Sequence, residues 1–359
     1  MEHSTHDQVR LGFIGAGNIG KVHMNAFRLL EGVELVAVTD AVRSVAETAK
    51  DQFGVLRVYD TPKQLLEDKS IDALVIGVPN HLHASLAVAA LQAKKHVLLE
   101  KPMALDAEEA KAIVRAERDS GKRLMIAHQM RWSTEAIAVK EQVNCGGLGN
   151  VYAAKAGWFR RKGIPGWGTW FTRKAEAGGG PLIDIGVHML DLALFLMGNP
   201  NPVSVVGSTY AKFGPERRGI GDWGKPDWDG YFDVEDFALA LIKMENGSTL
   251  TLEVSWAVHM DTDSQPFVHI LGDKGGASLR GDSGKLLTEI YAYPVDVPLT
   301  RPSGDIGDRV RLSQHFIECV RGNQEPISSS LAGLTTQLIL DAIYESSRTG
   351  RQIELDWSI

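Results

Sequence analysis

Asp184 and His188 stand four residues apart in the stretch Gly178-Gly179-Gly180-Pro181-Leu182-Ile183-Asp184-Ile185-Gly186-Val187-His188-Met189-Leu190-Asp191. On a helix that spacing puts both side chains on one face. A carboxylate and an imidazole held together can bind a sugar hydroxyl and take its proton. The glycines ahead of them allow a tight turn and are expected to leave open space beside it. A second candidate is Glu100-Lys101-Pro102, which closes the apolar segment His96–Leu99. A fixed ammonium at Lys101 can polarise a hydroxyl and stabilise a developing alkoxide, with Pro102 restricting its backbone. For an isolated triplet the plainer alternative is a surface lysine in a turn.

A third element gives these two a partner. Gly15-Ala16-Gly17-Asn18-Ile19-Gly20 follows an apolar segment and opens a helical one. Glycines there permit a tight turn and close approach of a pyrophosphate, while the helix start offers N–H donors. Asp40 ends the next strand, 20 residues beyond Gly20. At that place a carboxylate binds the ribose hydroxyls of NAD and repels the extra phosphate of NADP. Arg43 is near enough to keep NADP open as the lesser alternative. Pro79-Asn80-His81-Leu82-His83 follows another apolar strand. Asn80 could cap the next helix, and His83 could face the nicotinamide or simply pack. Gly15, Gly17, Asn18, Ile19, Gly20, Asp40, Pro79, Asn80, His83, Glu100 and Lys101 are therefore the candidate cofactor contacts.

The elements that must position these residues alternate in type. Strands are expected at Val9–Ile14, Val33–Thr39, Arg57–Tyr59, Ala73–Val78, His96–Leu99 and Arg123–Ala127. Helices are expected at Asn18–Leu30, Val42–Phe53, Pro62–Glu67, His81–Ala93 and Ala107–Ser120. Such alternation means a doubly wound parallel sheet with helices on both faces. Beyond Gln129 the pattern changes. Helix is read at Thr134–Val143 and Asp184–Leu196. Long strands are read at Val151–Phe159, Val203–Phe213, Val234–Met244, Ser248–Val258, Phe267–Leu271 and Leu286–Tyr293. Asn246-Gly247 marks a hairpin. The second half thus reads as an α/β domain on a large open, mainly antiparallel sheet, with further helices at Asp308–Arg321 and Leu331–Thr349. The expected boundary divides residues 1–128, a nucleotide-binding domain, from 129–359, a substrate and oligomerisation domain whose C-terminal helix could pack back on the first.

Composition narrows the partners. The 359 residues carry 38 basic and 45 acidic side chains, a net charge of −7, which disfavours nucleic acid and anionic membranes as partners. Met1 to Gln8 is polar and lacks the apolar stretch of a signal peptide, and no apolar run of membrane-spanning length is read. Cys145 and Cys319 have no metal or redox spacing and read as reduced thiols in a cytoplasmic protein. His259 and His269 are isolated, so no metal site is expected.

The motifs Gly15-x-Gly17-x-x-Gly20, Glu100-Lys101-Pro102 and Asp184-x-x-x-His188, in that order and spacing, resemble those of the Gfo/Idh/MocA oxidoreductase family over essentially the whole chain. That resemblance implies an N-terminal Rossmann domain, a C-terminal α/β domain whose sheet often mediates oligomerisation, and NAD-dependent oxidation of a sugar or cyclitol hydroxyl. It implies catalytic roles for Lys101, Asp184 and His188. His188 would accept the hydroxyl proton as hydride leaves the carbon, Lys101 would hold the oxygen, and Asp184 would orient a neighbouring hydroxyl; Lys101 and His188 could exchange roles. The segments Arg160–Gly168 and Gly178–Asp184 look like those of the D-glucoside 3-dehydrogenase subgroup, which oxidises C3 of glucose or glucosides to a 3-keto sugar. An inositol dehydrogenase, an NAD-dependent glycosidase using transient C3 oxidation, and a redox-inactive sugar sensor are the alternatives.

Around this triad, His128, Arg131, Arg160 and Trp167 are read with Lys101, Asp184 and His188 as substrate contacts. Trp158, Trp170, Trp223 and Trp228 could stack on a sugar or fill an interface. A homo-oligomer, dimer or tetramer, through the C-terminal sheet is expected. Asp191 reads equally as a partner of the His188 helix face or as a solvated side chain.

Overall fold

The computed structural model describes residues 8–261 and 263–359. All of the stretch Met1 to Gln8 except Gln8 lies outside the described residues. The chain divides into two units, one running up to Trp132 and including Ile306–Leu334, the other comprising Ser133–Asp305 and Thr335–Ser358. The single boundary after residue 128 is therefore replaced by three crossings, after Trp132, Asp305 and Leu334. The physical reason lies in the helix Asp308–Val320. Its Phe316 meets Phe27 edge-on at 6.2 Å, and Phe27 meets Phe13 at 6.2 Å, so an apolar core draws the helix into the first unit.

The first unit is built on six parallel strands: β1 (Val9–Ile14), β2 (Val33–Thr39), β3 (Arg57–Val58), β4 (Ala73–Ile76), β5 (His96–Leu99) and β6 (Leu124–Ile126). Their order is β3-β2-β1-β4-β5-β6. All four residues of β4 are buried, the pattern of a parallel strand covered on both faces. The order reverses direction between β1 and β4, the crevice where such sheets bind ligands. The turns carrying Gly15, Asp40, Pro79, Glu100 and His128 all follow the carboxyl ends of strands. The helix Ala107–Ser120 is bounded as its sequence dictates: Asp106 accepts a hydrogen bond from the Glu109 N–H at 2.9 Å, and Gly121 ends it at φ +69°.

The second unit carries nine strands: β7 (Val151–Arg160), β8 (Pro202–Tyr210), β9 (Phe237–Met244), β10 (Thr249–Ser255), β11 (Ser264–Gly272), β12 (Gly276–Arg280), β13 (Ser283–Ile290), β14 (Tyr293–Leu299) and β15 (Ile353–Glu354). Their order is β14-β13-β12-β11-β7-β10-β9-β8-β15, antiparallel except for the β7–β10 pair. Gly247, at φ +84°, sits in the hairpin that pairs Thr249 with Lys243. Where one strand Leu286–Tyr293 is expected, there are two. Tyr291 and Ala292 adopt φ of +52° and +65°, the double left-handed turn of a tight hairpin, and no Gly or Asn announces it. Along β9, Ala238, Ala240, Ile242 and Met244 are buried while Leu239 and Leu241 face outward.

The helix Val187–Leu196 is buried along its whole length and packs on β7 and β11. An 18-residue window within Lys174–Leu196 reaches a mean hydropathy of 1.4, as apolar as a membrane span, but 94% of that window is enclosed by the protein itself. It is the core helix of this unit.

Candidate active site

The three glycines after β1 do three different things. Gly15 turns the chain at φ +98°, and a Cβ there would lie 2.2 Å from the Gly77 carbonyl oxygen. A Cβ on Gly20 would lie 2.2 Å from the Gly15 carbonyl oxygen, so helix and turn pack directly. A Cβ on Gly17 would meet nothing within 4 Å. Gly17 and Asn18 are exposed, and the helix Asn18–Phe27 begins without a side-chain cap. This is a cradle with room at the one glycine where a pyrophosphate must approach. Asp40 is held to it: Ala16 N–H donates to Oδ2 at 2.8 Å and Val42 N–H to Oδ1 at 2.9 Å. Arg43 is paired with Asp60 and Glu47, so carboxylates already neutralise the charge that would favour NADP. The residues present fit NAD.

Glu100 and Lys101 sit in a charged cluster. The Glu100 carboxylate is buried, 2.7 Å from His23 Nε2 and 3.3 Å from an Arg309 guanidinium nitrogen, and it accepts the Lys101 N–H at 3.1 Å. Burial alone would favour its neutral form. His23, Arg309 and Lys101 outweigh that and hold Glu100 well below the usual carboxylate range. Glu100 is thus an anchor for the Lys101 backbone. His23 and Arg309 are partners of Glu100 that the motifs alone did not single out. His23 is 77 residues from Glu100 and Arg309 is 209, so no local spacing announces either contact. The Lys101–Pro102 peptide is cis, and Lys101 is half-buried.

Three first-unit candidates are already engaged with the protein. His83 has Nδ1 2.6 Å from the Pro102 carbonyl oxygen and Nε2 2.9 Å from that of Val78, and burial lowers its pKa. It braces the segments that follow β4 and β5. Arg131 is buried and donates to the Ile327 carbonyl at 2.7 Å, a tie to the Ile306–Leu334 segment. His128 is buried with Nδ1 3.1 Å from the Ser328 hydroxyl. Asn80 lies inside the short turn Asn80–Leu82, with Pro79 at its start, and so does not cap the helix His83–Gln92. Pro79 stays half-buried at the sheet edge, and Ile19 packs beside Gly77, where an added Cβ would lie 3.1 Å from its Cγ2.

In the second unit, Leu182–Gly186 forms a wide π-helical turn and the α-helix starts at Val187, three residues later than expected. Such turns recur at functional sites. Asp184 is in the wide turn and His188 in the first turn of the helix, 9% exposed. Trp256 Nε1–H donates to Asp184 Oδ2 at 3.0 Å. Arg160 also acts electrostatically on Asp184; burial lowers the Arg160 pKa and Asp184 partly offsets this. The Arg160 guanidinium lies 4.7 Å from the Trp158 ring centre. Arg160, Asp184 and His188 therefore belong to one region of this unit, and Trp256 is an addition to it. Asp191 is buried, which removes its solvated reading. The expectation of open space fails at Gly179 and Gly180: a Cβ on Gly179 would lie 1.9 Å from the Tyr344 hydroxyl, and one on Gly180 would lie 2.0 Å from the Glu235 carbonyl oxygen. These glycines admit protein, not ligand.

Trp167 is likewise spent on the protein. Its indole N–H donates to the Gly214 carbonyl at 2.7 Å, Trp228 stacks on it at 5.7 Å, and the Arg217 guanidinium lies 4.7 Å from its centre. A 4% exposed ring so covered packs two loops together and is not a sugar platform. Trp223 and Trp228 are half exposed. Among the described residues, no group of three His, Cys, Asp or Glu side chains could hold a metal ion.

A Rossmann sheet with this cradle defines a dinucleotide-binding domain. The chain belongs to the Gfo/Idh/MocA oxidoreductase family: residues 9–128 match the model of the oxidoreductase family's NAD-binding Rossmann fold, and residues 136–278 match the GFO/IDH/MocA C-terminal domain. Over 98% of its length it is 34% identical to the D-glucoside 3-dehydrogenase of Escherichia coli (strain K12), covering 99% of that protein. It is 26% identical to the scyllo-inositol 2-dehydrogenase (NAD(+)) of Bacillus subtilis (strain 168), with 99% of this chain and 98% of the other covered. A solved levoglucosan dehydrogenase, in complex with NADH and levoglucosan, shares the fold at a TM-score of 0.87 and 22% identity, covering 97% of this chain and 99% of that one. The protein is an enzyme, a dehydrogenase acting on CH–OH groups.

Proposed function

We propose that this dehydrogenase oxidises the C3 hydroxyl of glucose or a glucoside, giving a 3-keto sugar. The observation that carries the reading is the end-to-end likeness to the D-glucoside 3-dehydrogenase. NAD, when bound, accepts the hydride that leaves the substrate carbon. Gly15, Gly17, Asn18 and Ile19 would hold its pyrophosphate and Asp40 its ribose. His188 takes the proton of the reacting hydroxyl. Lys101, its backbone anchored by Glu100, gives the oxygen a fixed positive charge as the alkoxide develops. Asp184 accepts a hydrogen bond from a neighbouring hydroxyl, with Trp256 fixing its Oδ2 and so its orientation. Arg160, beside Asp184, contacts the same sugar.

The likeness to the scyllo-inositol enzyme favours a cyclitol as the second reading. A panel of hexoses, glucosides and inositols with NAD or NADP, read by absorbance of the reduced nicotinamide, separates the two. NAD-linked turnover of glucose or a glucoside supports the proposal, and turnover of inositols alone refutes it. Release of the aglycone without accumulation of NADH would reveal a glycosidase instead.

We also infer that a second copy of the chain covers the outer face of the second sheet. Leu239 and Leu241 of β9 and Val206 of β8, which pairs with Leu241, are 39–48% exposed on that face. Light scattering should find a dimer or tetramer, and Leu241→Lys should weaken it.

A further inference from the structure

Glu235 has no counterpart in the motifs that the sequence offered, yet its carboxylate is buried and three donors converge on it. Oε2 accepts the Gly180 N–H at 3.0 Å. Oε1 accepts the Leu182 N–H at 3.1 Å and the Tyr344 hydroxyl at 3.0 Å. Burial pushes the Glu235 pKa up, and these hydrogen bonds pull against it. Burying a carboxylate is costly, and apolar packing of similar volume would serve stability as well or better. What the charge supplies is direction. Its two backbone partners are the residues that enter the wide turn leading to Asp184 and His188.

The same turn is gripped further along. Trp256 donates to Asp184, and the Trp256 backbone N–H donates to the Asp236 carbonyl oxygen at 3.0 Å. Glu235 and Asp236 precede β9 and Trp256 follows β10, so adjacent ends of two paired strands hold the turn at its entrance and at Asp184. Gly179 and Gly180 are then required, since any side chain would displace Tyr344 or the Glu235 backbone.

We propose that Glu235, supported by Tyr344, is a positioning residue for the reaction: it sets the geometry of the turn that presents Asp184 and His188. This rests on the reading that those two residues act on the substrate. Glu235→Gln tests it, because a carboxamide must turn its NH2 toward at least one of the three donors. The expected variant keeps the wild-type Kd for NAD within about twofold and loses about a hundredfold in kcat, as a misplaced base does. Its log kcat/KM should go on rising with pH where the wild type levels off, because solvent hydroxide replaces a base that no longer reaches the hydroxyl. Tyr344→Phe, which removes one donor and keeps the charge, should lose roughly fivefold in kcat with NAD affinity unchanged. Wild-type kcat and a wild-type pH profile in Glu235→Gln overturn the proposal; if that variant does not fold, the same result in Tyr344→Phe overturns it. His188→Ala measured alongside separates the two levels. If it is inactive while Glu235→Gln is normal, only the positioning role falls. If it is fully active, the catalytic reading falls and the proposal falls with it.

Discussion

In the turn after β1, Gly17 faces space in which a Cβ would meet nothing within 4 Å, whereas at Gly179 and Gly180 a Cβ would lie about 2 Å from Tyr344 and Glu235 atoms. Both segments are glycine-rich turns leading into helices. In the first, glycine leaves room for a ligand's phosphates. In the second, glycine lets the protein's own polar groups close on the backbone. The residues at the two sites are held differently as well. The Lys101 backbone is anchored by Glu100, itself held by His23 and Arg309, while Asp184 is fixed by an indole N–H. One glycine-rich sequence pattern therefore serves two physical purposes, and only the packing around it tells them apart.

The contrast can be broken by substitution. Gly180→Ala should have the largest effect on the fold, because its methyl group meets a backbone oxygen that cannot rotate away. A loss of about 3 kcal/mol is expected in thermal or denaturant unfolding, with turnover lost too. His23→Ala should come next. It leaves Glu100 buried with one fewer partner and should cost about 2 kcal/mol at neutral pH. The sign with pH follows from the depressed Glu100 pKa. The fold favours its ionised form, so that stabilisation is complete above the ordinary carboxylate value of 4.5 and is lost as pH falls below it toward the lower folded value. The unfolding free energy of the wild type should therefore fall more steeply below that pH than that of His23→Ala. Gly17→Ala should leave the Tm unchanged and weaken NAD binding about tenfold, or about 1.4 kcal/mol, by titration. A Tm loss there would erase the distinction between the two turns. Trp256→Phe should have the smallest effect. It removes one hydrogen bond, about 1 kcal/mol, and should raise KM for the sugar with little change in NAD affinity.

Much of the first unit was legible because local signals coincide there. Apolar runs end at Gly15, Asp40 and Pro79, and β1, β2 and β5 fall on the expected residues. The second unit was less so. The β13–β14 hairpin turns on Tyr291 and Ala292, residue types that carry no turn signal. The helix of Asp184 and His188 was visible, but its widened first turn was not, because it depends on groups brought from afar. Trp256 is 72 residues from Asp184, and Glu235 is 55 from Gly180. Residue type marked out His83, Arg131 and Trp167 as candidates. Whether their polar atoms were still available depended on Pro102, Ile327 and Gly214 carbonyls that one sequence cannot pair with them.

The central claim is that hydride leaves C3 of a glucoside while Lys101, Asp184 and His188 manage its hydroxyl. The direct measurement uses a glucoside deuterated at C3, with mass analysis of the reduced nicotinamide and carbon NMR of the product. Deuterium in the NADH, a ketone at C3, and loss of both in Lys101→Ala and His188→Ala by about 10²–10⁴-fold are predicted. Deuterium retained in the sugar, with the ketone at another carbon, would contradict the account.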